Sequence, residues 1–276
     1  MLTKPGIIFG NLITTTAGFL LASRWHFNLS LFIATALGLG CVIGSACVLN
    51  NYIDRKVDIK MERTKNRALA AGLLSLRSAA IFATFLGALG AFLLFVYTNA
   101  LSAVIAMIGF CFYVVMYSFW KYYSSYGTLV GSIAGAIPPV VGYCAVTNTL
   151  DLGAFLIFLI LVLWQMPHFY AITIYRLDDY KAAAIPVLPV KHGIHRTKIH
   201  MLYFILAFIP AAASLTFFGY TGRLYLLIVI PASLIWLALA IQGFKTPKSH
   251  QWAYQMFRYS LVLIMIISLM MAIDVR

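Results

Sequence analysis

The sequence predicts an all-α fold, a polytopic membrane protein of about nine transmembrane helices, and three observations carry that prediction. Of its 276 residues, 63% are apolar or aromatic and only 10% are charged. A soluble domain carries roughly 45–50% apolar and about 25% charged residues, and a soluble fold of this length has no place to hide the excess. Mean hydropathy is +0.93. Apolar runs near the roughly 20 residues that span a bilayer recur along the whole chain. Cations fall between those runs and crowd onto alternate connections. A water-soluble globular enzyme, a disordered chain and a nucleic-acid-binding domain are excluded.

In chain order the expected spans are 7–23, 31–50, 79–97, 100–118, 128–147, 152–174, 199–218, 223–243 and 252–273. Small polar breaks, Thr98-Asn99 and Thr147-Asn148-Thr149, separate two of the pairs and suit tight helical hairpins. The connection from the second span to the third carries Arg55, Lys56, Lys60, Arg63, Lys65, Arg67 and Arg77. The connection from the sixth to the seventh carries Arg176, Lys181, Lys191, Arg196 and Lys198. Lys4, Lys121, Lys245, Lys248 and Arg258 fall on the same side, against Arg24, Arg223 and Arg276 on the other. Cations mark the cytoplasmic face, which places the N-terminus inside and the C-terminus outside. Much of the net charge of +13 is thus a topology signal, and no nucleic-acid partner is needed to explain it. A single transmembrane domain over 1–276 is expected, since no stretch reads as a separate soluble unit. No cleavable signal peptide is expected, because the first run lacks a separate charged region and a small-residue cleavage site. Cys41, Cys47, Cys111 and Cys144 lie in apolar stretches without a CxxC pair, so neither a disulfide framework nor a zinc site is indicated.

The two long cytoplasmic connections hold Asp54, Asp58, Glu62, Asp178 and Asp179, five of the seven acidic residues. Four helices separate them, the spacing of a weak internal duplication, although the two loops are not similar in sequence.

Four constellations can carry chemistry. Asn50, Asp54 and Asp58 are spaced i, i+4, i+8 and share one helical face, about 6 Å apart per step in rise. Mg²⁺ takes oxygen ligands, often one or two carboxylates plus substrate phosphate. Asp54 and Asp58 suit the metal, and Asn50 suits an added amide oxygen or a phosphate contact. The same residues suit a solvated loop helix whose charges pair with Arg55, Lys56 and Lys60. Ionisable groups at a membrane boundary favour function. Next, Arg63, Lys65 and Arg67 can neutralise a diphosphate, or simply anchor the positive side of the protein. Third, Asp178-Asp179-Tyr180-Lys181 and Pro186–Gly193 place a second acidic pair on the same side, readable as a second metal site or as a polar loop. Fourth, His168 in Trp164-Gln165-Met166-Pro167-His168-Phe169-Tyr170 suits a large planar ligand or its iron, or plain packing. Gly131, Gly135, Pro138 and Pro139 read first as close helix packing with a kink.

The residues alone therefore fit an enzyme acting on a lipid diphosphate, or an ion-coupled transporter. A transporter places its ionisable groups near the bilayer midplane. Here the helix centres are almost free of charge.

The stretch from Asn50 through Asp54, Asp58 and Met61-Glu62-Arg63-Thr64-Lys65-Asn66-Arg67 resembles the first aspartate motif of the UbiA-type intramembrane prenyltransferases. Thr3-Lys4-Pro5-Gly6-Ile7, Tyr126-Gly127-Thr128, Gly135–Tyr143, Trp164–Phe169, Asp179-Tyr180 and Ile185–Val190 narrow the resemblance to the haem-farnesylating branch of that family. The resemblance spans nearly the whole chain. It implies a reaction in which farnesyl diphosphate ionises with Mg²⁺, diphosphate leaves, a vinyl group of haem B captures the allylic cation, and water completes haem O. It implies that Asn50, Asp54, Asp58 and Asp179 act in catalysis, with Asp54 and Asp58 on the metal. Asn51, Arg63, Lys65, Arg67, Lys121, Asp178 and Lys181 would contact substrate, and His168 would line the haem site. Haem B, farnesyl diphosphate and the lipid bilayer are the implied partners, with haem-copper oxidase assembly downstream and no nucleic acid. A bacterial cytoplasmic membrane is the implied location.

Two departures stand out. The family's second motif has two aspartates four apart, whereas here Asp178 and Asp179 are adjacent and Ala183 lies four after Asp179. The family shows Lys-Arg between the fourth and fifth helices, where this chain has Lys121-Tyr122-Tyr123. Other readings remain: a prenyltransferase with an aromatic acid as acceptor, a transporter, or a non-catalytic haem-handling membrane protein.

Overall fold

A computed structural model describes residues 2–276. Among them, nine helices are long and apolar enough to cross a membrane: α1 (Pro5–Ser23), α2 (Leu29–Asp58), α3 (Leu76–Tyr97), α4 (Ala100–Trp120), α5 (Gly127–Thr147), α6 (Leu152–Tyr175), α7 (Leu188–Phe217), α8 (Arg223–Gln242) and α9 (Ser249–Ile273). The expected number and order hold. The second helix carries its polar end intact to Asp58, as the shared face of Asn50, Asp54 and Asp58 expects. One boundary moves. The seventh begins at Leu188 rather than 199, because a short N-terminal piece joins it across Gly193, whose φ of 83° breaks the helix.

Polar residues at the breaks cap the helices. Asn28, Ser75, Asn99 and Asp151 each accept a hydrogen bond from the backbone N–H three residues on. Such caps satisfy donors that the first helical turn leaves free. Asn99 also donates to the Cys144 carbonyl at 2.9 Å, so the α3–α4 turn is tied to the end of α5. Asp151 accepts a second bond from the Tyr143 hydroxyl at 2.9 Å. An acidic residue in an outer loop is thus used structurally.

Consecutive helices from α2 to α9 pack side by side, and α1 packs against α5, α9 and α2 to bring the ring together. The α1–α5 contact depends on missing side chains. A Cβ at Gly18 would collide with the Pro139 carbonyl, and one at Gly142 with the Thr15 carbonyl. Small residues let backbones approach where lipid supplies no hydrophobic drive. Large apolar side chains such as Phe85, Phe95, Leu227 and Leu269 cover the outer surface. Inside, Phe208, Tyr225, Trp236 and Ile157 are fully enclosed.

One irregularity faces inward. From Phe112 to Tyr117, α4 takes a π turn. Such a bulge inserts an extra residue and shifts the face presented afterwards. Tyr113 and Tyr117 stack there at 5.5 Å between ring centroids, and both reach the cavity described next.

Candidate active site

The last two turns of α2 set one wall. Asn50, Asp54 and Asp58 are all buried and all line a cavity of about 670 Å³, as their shared helical face requires. Asn51, one residue round the helix, does not line it: its amide donates to the Leu2 carbonyl at 2.8 Å and fastens the N-terminal segment.

Each polar group on that face has a definite partner. Lys121 donates to both oxygens of Asp54, at 2.6 and 2.5 Å, and the Tyr122 hydroxyl donates to the same carboxylate at 2.6 Å. Lys121 also lies 5.1 Å from the ring centres of Tyr117 and Tyr122. A single terminal nitrogen of Arg67 bridges both oxygens of Asp58, at 2.9 and 2.8 Å. The Thr64 hydroxyl donates to the Asp58 carbonyl at 2.9 Å, which folds the loop back over the end of α2 and brings Arg67 to its partner. Lys4 donates to Asn50 Oδ1 at 2.5 Å, and Asn50 Nδ2 donates to the Ser118 hydroxyl at 3.2 Å.

The balance of charge at this end is positive. Lys4, Arg63, Arg67, Lys121 and Arg176 line the cavity, against the carboxylates Asp54 and Asp58. Among the described residues Lys4 has no carboxylate partner: its contact is a neutral amide. Burial pushes its ammonium down to about 8, and Arg67 acts in the same sense. Burial also lowers Lys121, against the pull of Asp54. Tyr122 is raised, by burial first and by its bond to Asp54 second, so it stays a donor. Such an excess of cations, with Lys4 and Lys121 desolvated among them, suits a polyanion.

No cluster of three or more His, Cys, Asp or Glu side chains occurs among the described residues. Asp54, Asp58 and Asn50 are an all-oxygen donor set on one face. That set fits a hard cation completing its shell with substrate phosphate, and it does not fit an all-protein cage.

Other sequence candidates lie elsewhere. Lys65 pairs with Glu62 at 2.7 Å on the exposed loop. Asp178 and Lys181 are exposed on the short helical turn Leu177–Ala182 and do not line the cavity. Asp179 accepts from the Glu62 backbone N–H at 3.3 Å, linking the two long loops beside the site. Tyr180, from the same turn, does reach the cavity.

The cavity continues into the bundle and becomes apolar and aromatic. Trp164, Gln165, His168 and Phe169 of α6 line it together with Phe257, Leu261 and Ile264 of α9. His168 stacks on Trp164 at 4.7 Å and meets Phe257 at 5.2 Å. Gly135 makes room for Gln165, whose amide would strike any Cβ placed there. Gln165 Nε2 is buried without a hydrogen-bond partner.

Lys4, Tyr113, Tyr117, Tyr122, Gln165 and Arg176 were not expected as site residues from the sequence. Lys4 reads there as a topology charge, and the π turn that aims the tyrosines has no sequence signal. The signal for Lys4 was its place in Thr3-Lys4-Pro5, where Pro5 starts α1 and the left-handed backbone of Lys4 (φ 51°) turns the chain over the site.

Comparison with known proteins agrees with this geometry. The profile of the UbiA prenyltransferase family matches residues 11–262. A protein of Protochlamydia amoebophila named protoheme IX farnesyltransferase is 53% identical over 274 residues, covering 99% of this chain and 97% of the relative. One of the same name from Yersinia pseudotuberculosis is 51% identical over 273 residues, covering 99% and 92%. Among solved structures, a digeranylgeranylglyceryl phosphate synthase superposes with a TM-score of 0.81 at 17% identity, covering 98% of this chain and 94% of that one. A UbiA homologue from Archaeoglobus fulgidus bound to GPP and Mg²⁺ superposes with a TM-score of 0.74 at 13% identity, covering 95% and 98%. At those identities the structures speak to the fold, and the sequence relatives and the family profile decide membership. The chain belongs to the UbiA prenyltransferase family.

Proposed function

We propose that this chain transfers the farnesyl group of farnesyl diphosphate to a vinyl group of haem B, with addition of water, giving haem O and diphosphate. One observation carries the reading: a single cavity joins a cationic end holding Asp54 and Asp58 to an aromatic end holding His168. A diphosphate suits the first, and a prenyl chain with a flat apolar acceptor suits the second. The near relatives named protoheme IX farnesyltransferase support that choice of acceptor.

Asp54 and Asp58 would hold Mg²⁺ together with the diphosphate. When bound, the ion supplies positive charge against the leaving oxygens. Lys4, Arg63, Arg67 and Lys121 hold the diphosphate and stabilise the charge that builds up on it as the C1–O bond breaks. Lys121 and Arg67 sit on the two carboxylates and line the same cavity. Asn50 orients phosphate through its amide. Asp179 steadies the loop that carries Arg63 and Arg67. Asn51 fastens the N-terminal segment, Lys65, Asp178 and Lys181 lie exposed on the loops, and none of the four lines the cavity. The electron pair of the broken bond leaves with diphosphate. The vinyl group then forms the new carbon–carbon bond, and the cation it acquires takes up water and releases a proton. The apolar walls keep water from the allylic cation before the vinyl group reaches it. His168 lines the acceptor end.

The nine helices act as one transmembrane domain over 1–276 in a bacterial cytoplasmic membrane. The Lys and Arg bias supports a cytoplasmic N-terminus and an outer C-terminus. The product suits delivery to haem-copper oxidase assembly.

Product mass tests the reading. Membranes containing the protein are incubated with haem B, farnesyl diphosphate and Mg²⁺, alongside Asp54→Ala. A haem heavier by one farnesyl group plus water, absent with the variant, is expected. A farnesylated aromatic acid, with no haem adduct, would move the acceptor. No farnesyl transfer at all from a folded sample would favour a haem carrier or a transporter.

A further inference from the structure

Ser260, in the middle of α9, is fully buried and holds two side chains of α6. Its backbone carbonyl accepts from Trp164 Nε1 at 3.0 Å. Its hydroxyl oxygen lies 2.7 Å from His168 Nδ1 and 2.6 Å from the Phe257 carbonyl oxygen. Two oxygens at 2.6 Å repel unless a proton lies between them, and a carbonyl has none to give. The Ser260 proton therefore belongs to the Phe257 bond. The remaining contact must be donated by the imidazole, so the neutral His168 ring carries its proton on Nδ1. Nε2 is then a bare lone pair. It makes no hydrogen bond to the protein among the described residues, and His168 lines the cavity. Trp164 stacked on one face, 21° from parallel, and Phe257 against the ring fix its orientation.

We infer that Ser260 is a positioning residue of the acceptor subsite: by accepting the hydrogen bond of His168 Nδ1–H it leaves the Nε2 lone pair free to ligate the iron of a haem in the cavity that His168 lines. A ring nitrogen is a good iron ligand when the other nitrogen donates to a fixed acceptor, because the bond sets both tautomer and ring orientation. Iron ligation also gives this apolar end a directional contact that stacking alone lacks, and so a register for the macrocycle. The identity of the ligand rests on the reading proposed above. The tautomer and the free lone pair on Nε2 do not.

The test is haem titration of the full-length protein in lipid nanodiscs, followed by absorption in the Soret region. The variants are His168→Ala, Ser260→Ala and Ser260→Thr, with farnesyl diphosphate binding as the control for folding. His168→Ala is expected to lose the spectrum of the imidazole-ligated iron. Ser260→Ala should weaken haem binding about 10- to 100-fold and shift the band, as losing an outer-shell partner of a ligating histidine does. Ser260→Thr, which keeps the hydroxyl, should resemble the parent, and diphosphate binding should be unchanged throughout. A Ser260→Ala protein with the parent's haem spectrum and affinity would overturn the positioning role. A His168→Ala protein with an unaltered spectrum would overturn the ligation. If the parent shows the His168-dependent spectrum but forms no haem adduct, the transfer reading fails and this inference stands.

Discussion

Lys121 and Asp54, 67 residues apart in the chain, form a buried ion pair in which the ammonium lies 2.6 and 2.5 Å from the two carboxylate oxygens. The pair joins the end of α2 to the turn after α4, and both side chains are 11% exposed. Neither charge is comfortable there alone. Removing one partner of a buried pair costs about 3–5 kcal/mol, because the other is left uncompensated. Asp54→Asn should therefore lower thermal stability, and adding Lys121→Met should recover most of it. Farnesyl transfer should stay lost in both, since neither restores the carboxylate. A double variant no more stable than Asp54→Asn would mean that the pair does not couple these segments.

Arg67 and Asp58 test a different division of labour. One terminal nitrogen of Arg67 serves both Asp58 oxygens, which leaves the rest of the guanidinium fork free. A lysine can keep the ion pair but has no second arm. Arg67→Lys is expected to fold normally and to raise the KM for farnesyl diphosphate about tenfold, the worth of a charge-assisted hydrogen bond. Steady-state kinetics beside a melting curve would show it. Equal loss in stability and KM would mean that Arg67 acts only through Asp58.

Lys4 gives the site a pH dependence whose sign follows from its burial. Its pKa is pushed down to about 8, so the folded protein holds the proton below that pH and releases it above. A diphosphate favours the protonated form. The KM for farnesyl diphosphate should thus rise as pH passes upward through about 8, and binding near that pH should take up a proton. Lys4→Arg keeps its charge across this range and should flatten the rise. Lys4→Gln should show the raised KM at every pH. A profile in the parent that is flat from pH 7 to roughly 9.5, a range well below the ordinary lysine pKa, would remove Lys4 from the diphosphate site.

The helices and the first acidic face were legible in the sequence because both are local facts. An apolar run long enough to span, and three polar residues at i, i+4 and i+8, need no knowledge of what they pack against. Hence α2 carries Asn50, Asp54 and Asp58 into one cavity. What stayed hidden depends on distant partners. Lys4 belongs to the site through a bond to a residue 46 positions away. Ser260 meets His168 across 92. Tyr113 and Tyr117 are brought to the cavity by a π turn that no pattern in Phe112–Tyr117 announces. The second acidic pair illustrates the converse. Asp178 and Asp179 look equivalent in sequence, yet the turn at Leu177–Ala182 exposes one and sets the other against the Glu62 amide. Asp179→Ala should accordingly reduce turnover far less than Asp54→Ala does, a contrast that parallel rate measurements on the two variants would settle.

The α1–α5 contact makes a last prediction about the frame that holds these groups in place. Gly142 faces the backbone carbonyl of Thr15, and a β-carbon added there would overlap an atom that cannot rotate aside. Gly40, in α2, has only the Ile8 side chain at 3.9 Å, an ordinary contact. Alanine is the better helix former, by about 0.5–1 kcal/mol. Gly40→Ala should therefore be neutral or slightly stabilising. Gly142→Ala should force α1 away from α5 and destabilise by about 1–3 kcal/mol, the usual range for overpacking. Because α1 begins at Pro5, directly after Lys4, the same displacement should lift Lys4 from Asn50 and raise the KM for farnesyl diphosphate. Melting curves and kinetics on the two alanine variants would separate packing from propensity, and a Gly142→Ala protein as stable as Gly40→Ala would mean that the close approach of these helices is not needed.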